Sequence, residues 1–288
     1  MMYQIKNNDL EITLSDRGAE IIEIRSKEGT SYLWHGDAKY WNRHAPILFP
    51  IVGKVLGGNY VYEEQMYPLS QHGFARDSVF KTEEHTDHTI SFILESNKAT
   101  RTIYPFDFLL RIRYTLEQNK LDISYEVENK NDSTIYFAIG GHPAFNCPLF
   151  ENETMEDYYL EFEVLEKAKC LKVTEDVFLS GEVVEFEGKE IPLSKAYFEK
   201  GVTILTELKS DWIALKSHKN PHSVQMRFSD FPFLGIWSPE RGAPFVCIEP
   251  WIGHTDYVDA SSYLVDKKDF VHLDQEKSFK CMYSLKFE

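Results

Sequence analysis

The chain has 288 residues, a formal net charge of -15, 43% hydrophobic and 14% aromatic residues. This is the composition of a folded globular protein, long enough to bury one large β core or two ordinary ones, and it excludes a disordered chain. The acidic balance argues against nucleic acid or an anionic membrane surface as the main partner.

Along the chain the dominant hydrophobic period is two. Strands are predicted over 10–14, 21–25 and 89–94. The clearest pattern follows. Phe108, Leu110, Ile112, Tyr114 and Leu116 alternate with Leu109, Arg111, Arg113 and Thr115. After a turn at 117–120, Leu121, Ile123, Tyr125 and Val127 alternate with polar residues. This is a β-hairpin with one apolar and one polar face. Further strands are predicted over 135–139, 159–162, 202–205, 212–215, 224–228, 234–237, 245–248 and 279–287. Turn residues such as Asp16-Arg17-Gly18, Lys27-Glu28-Gly29, Gly57-Gly58-Asn59, Glu187-Gly188 and Arg241-Gly242 separate them. No long amphipathic helix, no repeat and no Pro/Gly/Ser linker is found. The reading is all-β: antiparallel sheets in one domain over 1–288, as a sandwich or barrel. The acidic, weakly patterned stretch 152–200 reads as an excursion from it.

Three segments do not look like plain strands. In the first, Arg43 and His44 precede an apolar run bracketed by Pro46 and Pro50, and Gln71-His72-Gly73-Phe74-Ala75-Arg76 comes later. The run can be core and edge structure. His72 alone reads more readily as an ordinary, partly exposed histidine than as a ligand. Two Arg, a Gln and a His beside loop glycines nevertheless offer the donors and acceptors that sugar hydroxyls require. In the second, Gly140-Gly141-His142-Pro143 follows a predicted strand. Two glycines permit a sharp turn or close approach, and Pro143 restricts His142. In the third, Glu249 ends the apolar run Phe245-Val246-Cys247-Ile248. Buried there, its carboxylate would need a partner, and its pKa would rise towards that of a general base at neutral pH. The alternative places it just past the strand end, in solvent.

Other signals are weak. His218 and His222 are four apart, but Pro221 lies between them. His85 and His88 sit in a polar, turn-like stretch. No H-E-x-x-H, P-loop, G-x-S-x-G or G-x-G-x-x-G occurs, so neither a metal nor a cofactor is expected. Cys147, Cys170, Cys247 and Cys281 form no C-x-x-C pair and read as reduced thiols of a cytoplasmic protein. The first residues lack a signal-peptide core, no apolar run is long enough to span a bilayer, and two glycosylation sequons read as chance.

Taken in order, Arg17-Gly18-Ala19-Glu20, the segment from Ala45 to Gly53, Gln71-His72-Gly73-Phe74-Ala75-Arg76, Tyr104-Pro105-Phe106, Gly140-Gly141-His142-Pro143-Ala144-Phe145, Phe233-Leu234-Gly235-Ile236-Trp237 and Ile248-Glu249-Pro250-Trp251 resemble the aldose 1-epimerase superfamily, in its LacX-like branch. The resemblance spans most of the chain. It implies a galactose mutarotase-like β-supersandwich, two large antiparallel sheets, with a sugar bound over a sheet face. His142 matches the family's catalytic histidine and Glu249 its catalytic glutamate. Arg43, Gln71 and Arg76 match positions that bind sugar hydroxyls or, in the hexose-6-phosphate branch, phosphate, with His72 beside them. The acidic sugar-binding residue frequent in the family's middle segment has no aligned Asp in Phe198-Glu199-Lys200-Gly201. The implied activity is interconversion of the α and β anomers of a hexose, with Glu249 as base at O1, His142 as acid at the ring oxygen, and Trp237 or Phe145 under the sugar's C–H groups. The alternatives are a hexose-6-phosphate 1-epimerase, a non-catalytic carbohydrate-binding or sugar-sensing protein, and a carbohydrate-active hydrolase or lyase of similar fold.

Overall fold

A computed structural model describes residues 1–199, 201–239 and 242–288. Of the expected turns, Arg241 lies outside the described residues, as does Lys200 of the middle segment. The hairpin forms as its alternation requires. Phe108–Glu117 pairs with Lys120–Asn129, Leu116 opposite Leu121, and every second side chain is buried on both strands. The turn tightens to Gln118-Asn119, with Gln118 in the left-handed region.

Five strands carry the candidate site: β1 (Ile47–Leu48), β2 (Ile139–Gly141), β3 (Thr203–Thr206), β4 (Phe233–Trp237) and β5 (Phe245–Ile252). They belong to a 15-stranded antiparallel sheet in the order β1-β2-β5-β4-β3, then Tyr158–Val173, Trp212–Ser217, Ser223–Arg227, Ser278–Phe287, the hairpin strands, Thr89–Glu95 and Lys81–His85. The pairing path is continuous, but it doubles back. Phe49, beside β1, packs on Phe108, ring centroids 5.2 Å apart. A Cβ on Gly141 of β2 would meet the hydroxyls of Tyr125 and Tyr283 at about 3 Å. The two ends of one long sheet therefore face each other as a sandwich, and the main core draws on residues from Ile5 to Phe287. A three-stranded sheet, Met2–Lys6, Leu10–Ser15 and Ile21–Ser26, adds to it.

Three expectations need correction, one of them the turn at Glu187-Gly188, which lies inside the strand Leu179–Pro192. The single strand over 135–139 is broken. Ile135–Phe137 pairs with Val271–Leu273, whereas β2 joins the main sheet, and the Ala138 N–H between them donates to the Pro50 carbonyl (2.8 Å). Nor is 152–200 an excursion. Tyr158–Val173 runs through the sheet, pairing with Trp212–Ser217 at one end and β3 at the other. Its hairpin mate Leu179–Pro192 is largely exposed on both faces, which removes the apolar–polar contrast.

Candidate active site

β5 is buried along its whole length, and Glu249 lies inside it, not in solvent beyond its end. Glu249 is 1% exposed and sits opposite Gly235 of β4. His142 follows β2 directly. Its N–H donates to the Pro46 carbonyl (3.1 Å), and the Ala144 N–H to the His44 carbonyl (2.9 Å), so the segment after Arg43 clamps the backbone around the imidazole. Glu20 fixes that segment in turn, accepting from the N–H groups of His44 and Ala45 (2.8 and 2.9 Å).

These elements bring His142 Nε2 within 3.1 Å of Glu249 Oε2. The contact is short but not aligned as a hydrogen bond. Glu249 Oε2, His142 Nδ1 and Trp251 Nε1 all lack a hydrogen-bond partner among the described residues. Burial pushes the Glu249 carboxyl well above its ordinary range, and the nearby Trp251 indole opposes this only weakly. Burial also pulls His142 down to about 3, helped by the charges of Arg76 and Arg43 and opposed by a backbone hydrogen bond. Both shifts favour the uncharged forms, a carboxylic acid beside a neutral imidazole. Trp41 stacks on the imidazole at 4.8 Å, Trp237 meets it edge-on at 5.7 Å, and the Trp41 carbonyl is held by the Trp34 indole N–H (2.9 Å).

His72 is not the partly exposed histidine its sequence context suggests. It is 7% exposed and stands edge-on to His142, centroids 5.5 Å apart. Its backbone is left-handed, φ 63°, and is held by His72 N–H donation to the Gly53 carbonyl (2.7 Å). The Gly53 N–H donates to His72 Nδ1 (3.1 Å), so the neutral ring carries its proton on Nε2. Burial, then His142 and the neighbouring cations, pull its pKa well down. Gly73 is required next: a Cβ there would lie 2.2 Å from the Phe49 carbonyl oxygen. Arg76 Nη2 donates to the Gln71 carbonyl (2.6 Å), while its buried Nε lies 3.8 Å from Asp77 Oδ2 and has no hydrogen-bond partner among the described residues. Burial and the Arg43 charge lower this guanidinium to about 10.

One cavity of about 620 Å³ gathers His142, Glu249, Gln71, His72 and Arg76. Arg43 is not among its lining residues; it pairs with Asp77 (3.0 Å). Trp237 lines the cavity, but Phe145 does not and lies fully buried in the core. The sequence reading missed Trp41, Trp251, Thr255 and the turn containing Thr174, Glu175 and Val177, all of which line it. Trp251 was within reach of the period-two rule, since a residue two after Glu249 shares its face. Room for its indole comes from Gly140 and Gly235, where a Cβ would meet Trp251 at 2.7 and 2.6 Å. Glu199, from the stretch without an aligned Asp, also lines the cavity. Cys247 shares the face of Glu249, and its Sγ lies within 4.8 Å of ligand atoms of both Glu249 and His142, a set of the kind that suits a thiophilic divalent ion. All four cysteines are free thiols. Among the described residues no helix is long and apolar enough to cross a membrane.

A buried carboxyl and imidazole in contact, inside a cavity ringed by indoles and hydrogen-bonding side chains, are the elements that a candidate acid–base site for a small polar ligand requires. Residues 1–261 match the aldose 1-epimerase family, and the chain belongs to it. It is 34% identical over 277 residues to the plasmid-encoded protein LacX of Lactococcus lactis subsp. lactis, covering 93% of each chain. Among solved structures it is similar to a galactose mutarotase related enzyme from Lactobacillus acidophilus (TM-score 0.97, 36% identity, 100% and 97% of the chains). It is also similar to a galactose mutarotase-like protein from Lactobacillus casei (TM-score 0.94, 33% identity, 100% of both).

Proposed function

We propose that this protein is a mutarotase that interconverts the α and β anomers of a hexose in the cytoplasm. The observation that carries the reading is the His142–Glu249 contact at 3.1 Å inside a cavity of about 620 Å³. Ring opening removes a proton from the C1 hydroxyl and gives one to the ring oxygen. The pair's single proton, moved onto His142, makes Glu249 the base at O1 and His142 the acid at the ring oxygen. Closure on the other face of the aldehyde reverses both transfers, so the pair ends as it began. Each placed proton transfer contributes ~10²–10⁴ in rate. The free aldehyde must rotate about C1–C2, so the remaining sugar has to be gripped. Gln71, His72 and Arg76 line the cavity for that purpose, Arg43 acts through its charge, and Trp237 offers a face to the C–H groups.

A second reading, a hexose-6-phosphate 1-epimerase, is favoured by one observation: the buried Arg76 Nε has a hydrogen bond to give. Polarimetry of freshly dissolved α-D-glucose, α-D-galactose and α-D-glucose 6-phosphate, with and without protein, tests both. Faster relaxation to an unchanged final rotation with a free hexose establishes the first. Acceleration confined to the phosphate establishes the second. Binding without acceleration would make the protein a sugar binder.

A further inference from the structure

The cavity is larger than one hexose needs. At about 30 Å³ per displaced water, a hexose equivalent to roughly six waters fills on the order of 180 Å³, against about 620 Å³ here. The register shows where the excess lies. Glu249 of β5 pairs with Gly235 of β4, Gly235 with Ile204 of β3, and Ile204 with Leu171. Directly paired residues share a face, and neighbouring strands lie about 4.8 Å apart, so Ile204 is ~10 Å from Glu249 along the cavity floor. The Trp251 indole lies over Gly235, midway along this row.

The far wall is the turn between Tyr158–Val173 and Leu179–Pro192. It is anchored rather than loose. Thr255 Oγ1 donates to the Val177 carbonyl (2.9 Å), Lys54 Nζ to the Asp176 carbonyl (2.9 Å), and the Leu179 N–H to the Asp256 carbonyl (2.9 Å). Val177 is held there with φ 68°, unfavourable for a β-branched residue. Arg76 is tied to the Gln71 carbonyl beside His72, which stands against His142, so it belongs to the His142 end, whereas Lys54, which reaches the turn, has its Nζ committed to the Asp176 carbonyl. The far end presents Val173, Val177, Val202 and Ile204, with the carboxylates of Glu175 and Glu199. Carboxylates accept hydrogen bonds from hydroxyls and repel phosphate, and the indole and valines suit the C–H faces of a second sugar ring.

We infer that the cavity holds a second subsite for a neutral glycosyl group, so that the preferred substrate is the reducing end of a disaccharide. This rests on the mutarotase reading for turnover, but not for binding. The test uses the whole protein with maltose and lactose, both substituted at O4 of a reducing glucose, beside glucose and glucose 6-phosphate. Mutarotation is followed by polarimetry and binding by calorimetry. For at least one disaccharide, kcat/KM should be about tenfold or more above that of glucose and of glucose 6-phosphate, and Kd about tenfold lower. Glu175→Trp, at an exposed position, should cut the disaccharide-to-glucose ratio of kcat/KM at least tenfold. Disaccharides that bind no more tightly than glucose, or an unmoved ratio in this variant, would overturn the subsite. Tighter disaccharide binding with no acceleration of any sugar would overturn the mutarotase reading and leave the subsite standing.

Discussion

Glu249→Gln separates catalysis from stability in a way that few substitutions do. The loss of the base predicts a fall in kcat/KM of ~10²–10⁴, equivalent to about 2.7–5.5 kcal/mol in the barrier. The stability effect has a worked sign. Burial raises the folded pKa of Glu249 above its unfolded value of about 4.3. The fold then holds a proton that the unfolded chain releases, and stability falls by about 1.4 kcal/mol per pH unit between the two pKa values. His142 acts oppositely. Its folded pKa, about 3, lies below the unfolded value of about 6.5. Its contribution is present above the unfolded value and is lost as pH falls towards 3. The two slopes cancel between pH ~4.3 and ~6.5, and above that only the Glu249 slope remains. Gln removes this slope. The stability of Glu249→Gln relative to the parent should therefore grow between pH 6.5 and 7.5, by at most about 1.4 kcal/mol, while turnover collapses. Urea denaturation at both pH values gives the first quantity and polarimetry of α-D-glucose the second. A gap that does not widen, or a rate within tenfold of the parent, would refute the buried-acid assignment.

Three further outcomes are expected. Because burial keeps His142 from taking up a proton until near pH 3, kcat/KM corrected for spontaneous mutarotation should stay within about threefold from pH 6.5 to 5; an acid limb centred near 6.5 would show an ordinary imidazole. Gly235→Ala places a methyl 2.6 Å from the Trp251 indole and should cost about 1–3 kcal/mol of stability and raise KM; an unchanged KM would remove Trp251 from the binding surface. Lys267, buried against Asp256, braces the segment that carries Thr255. Lys267→Met strands the Asp256 carboxylate and should cost about 3–5 kcal/mol by denaturant titration; a loss under 1 kcal/mol would mean that the Leu56 N–H alone satisfies Asp256.

The hairpin from Phe108 to Asn129 is legible in the sequence because one face is core and the other is not, so the alternation is written into the residues. His142 is legible because Gly-Gly before it and Pro after it constrain the backbone. Glu249 stands out as a charge at the end of an apolar run. Where burial contrast vanishes, legibility vanishes with it. Leu179–Pro192 has little core face and reads as part of an excursion, with a turn at Glu187-Gly188. Ile135–Ile139 reads as one strand because all of it is apolar, although its halves pair with different partners. Trp41 is invisible as a site residue because its role is a stacking contact with a histidine 101 positions away, which no local pattern encodes. His72 misleads because a polar, glycine-rich neighbourhood usually means solvent; here the glycines exist to let backbone pack against backbone.

The cavity wall begins at Trp41 and ends at Thr255, with the acid–base pair drawn from strands more than a hundred positions apart. During synthesis, then, the cavity stays incomplete until residues near 255 have emerged and β5 has slotted between β2 and β4. Such non-local pairing is intrinsically slow to form. The ligand can therefore act only as a late stabiliser of the finished sheet, never as a template for its assembly.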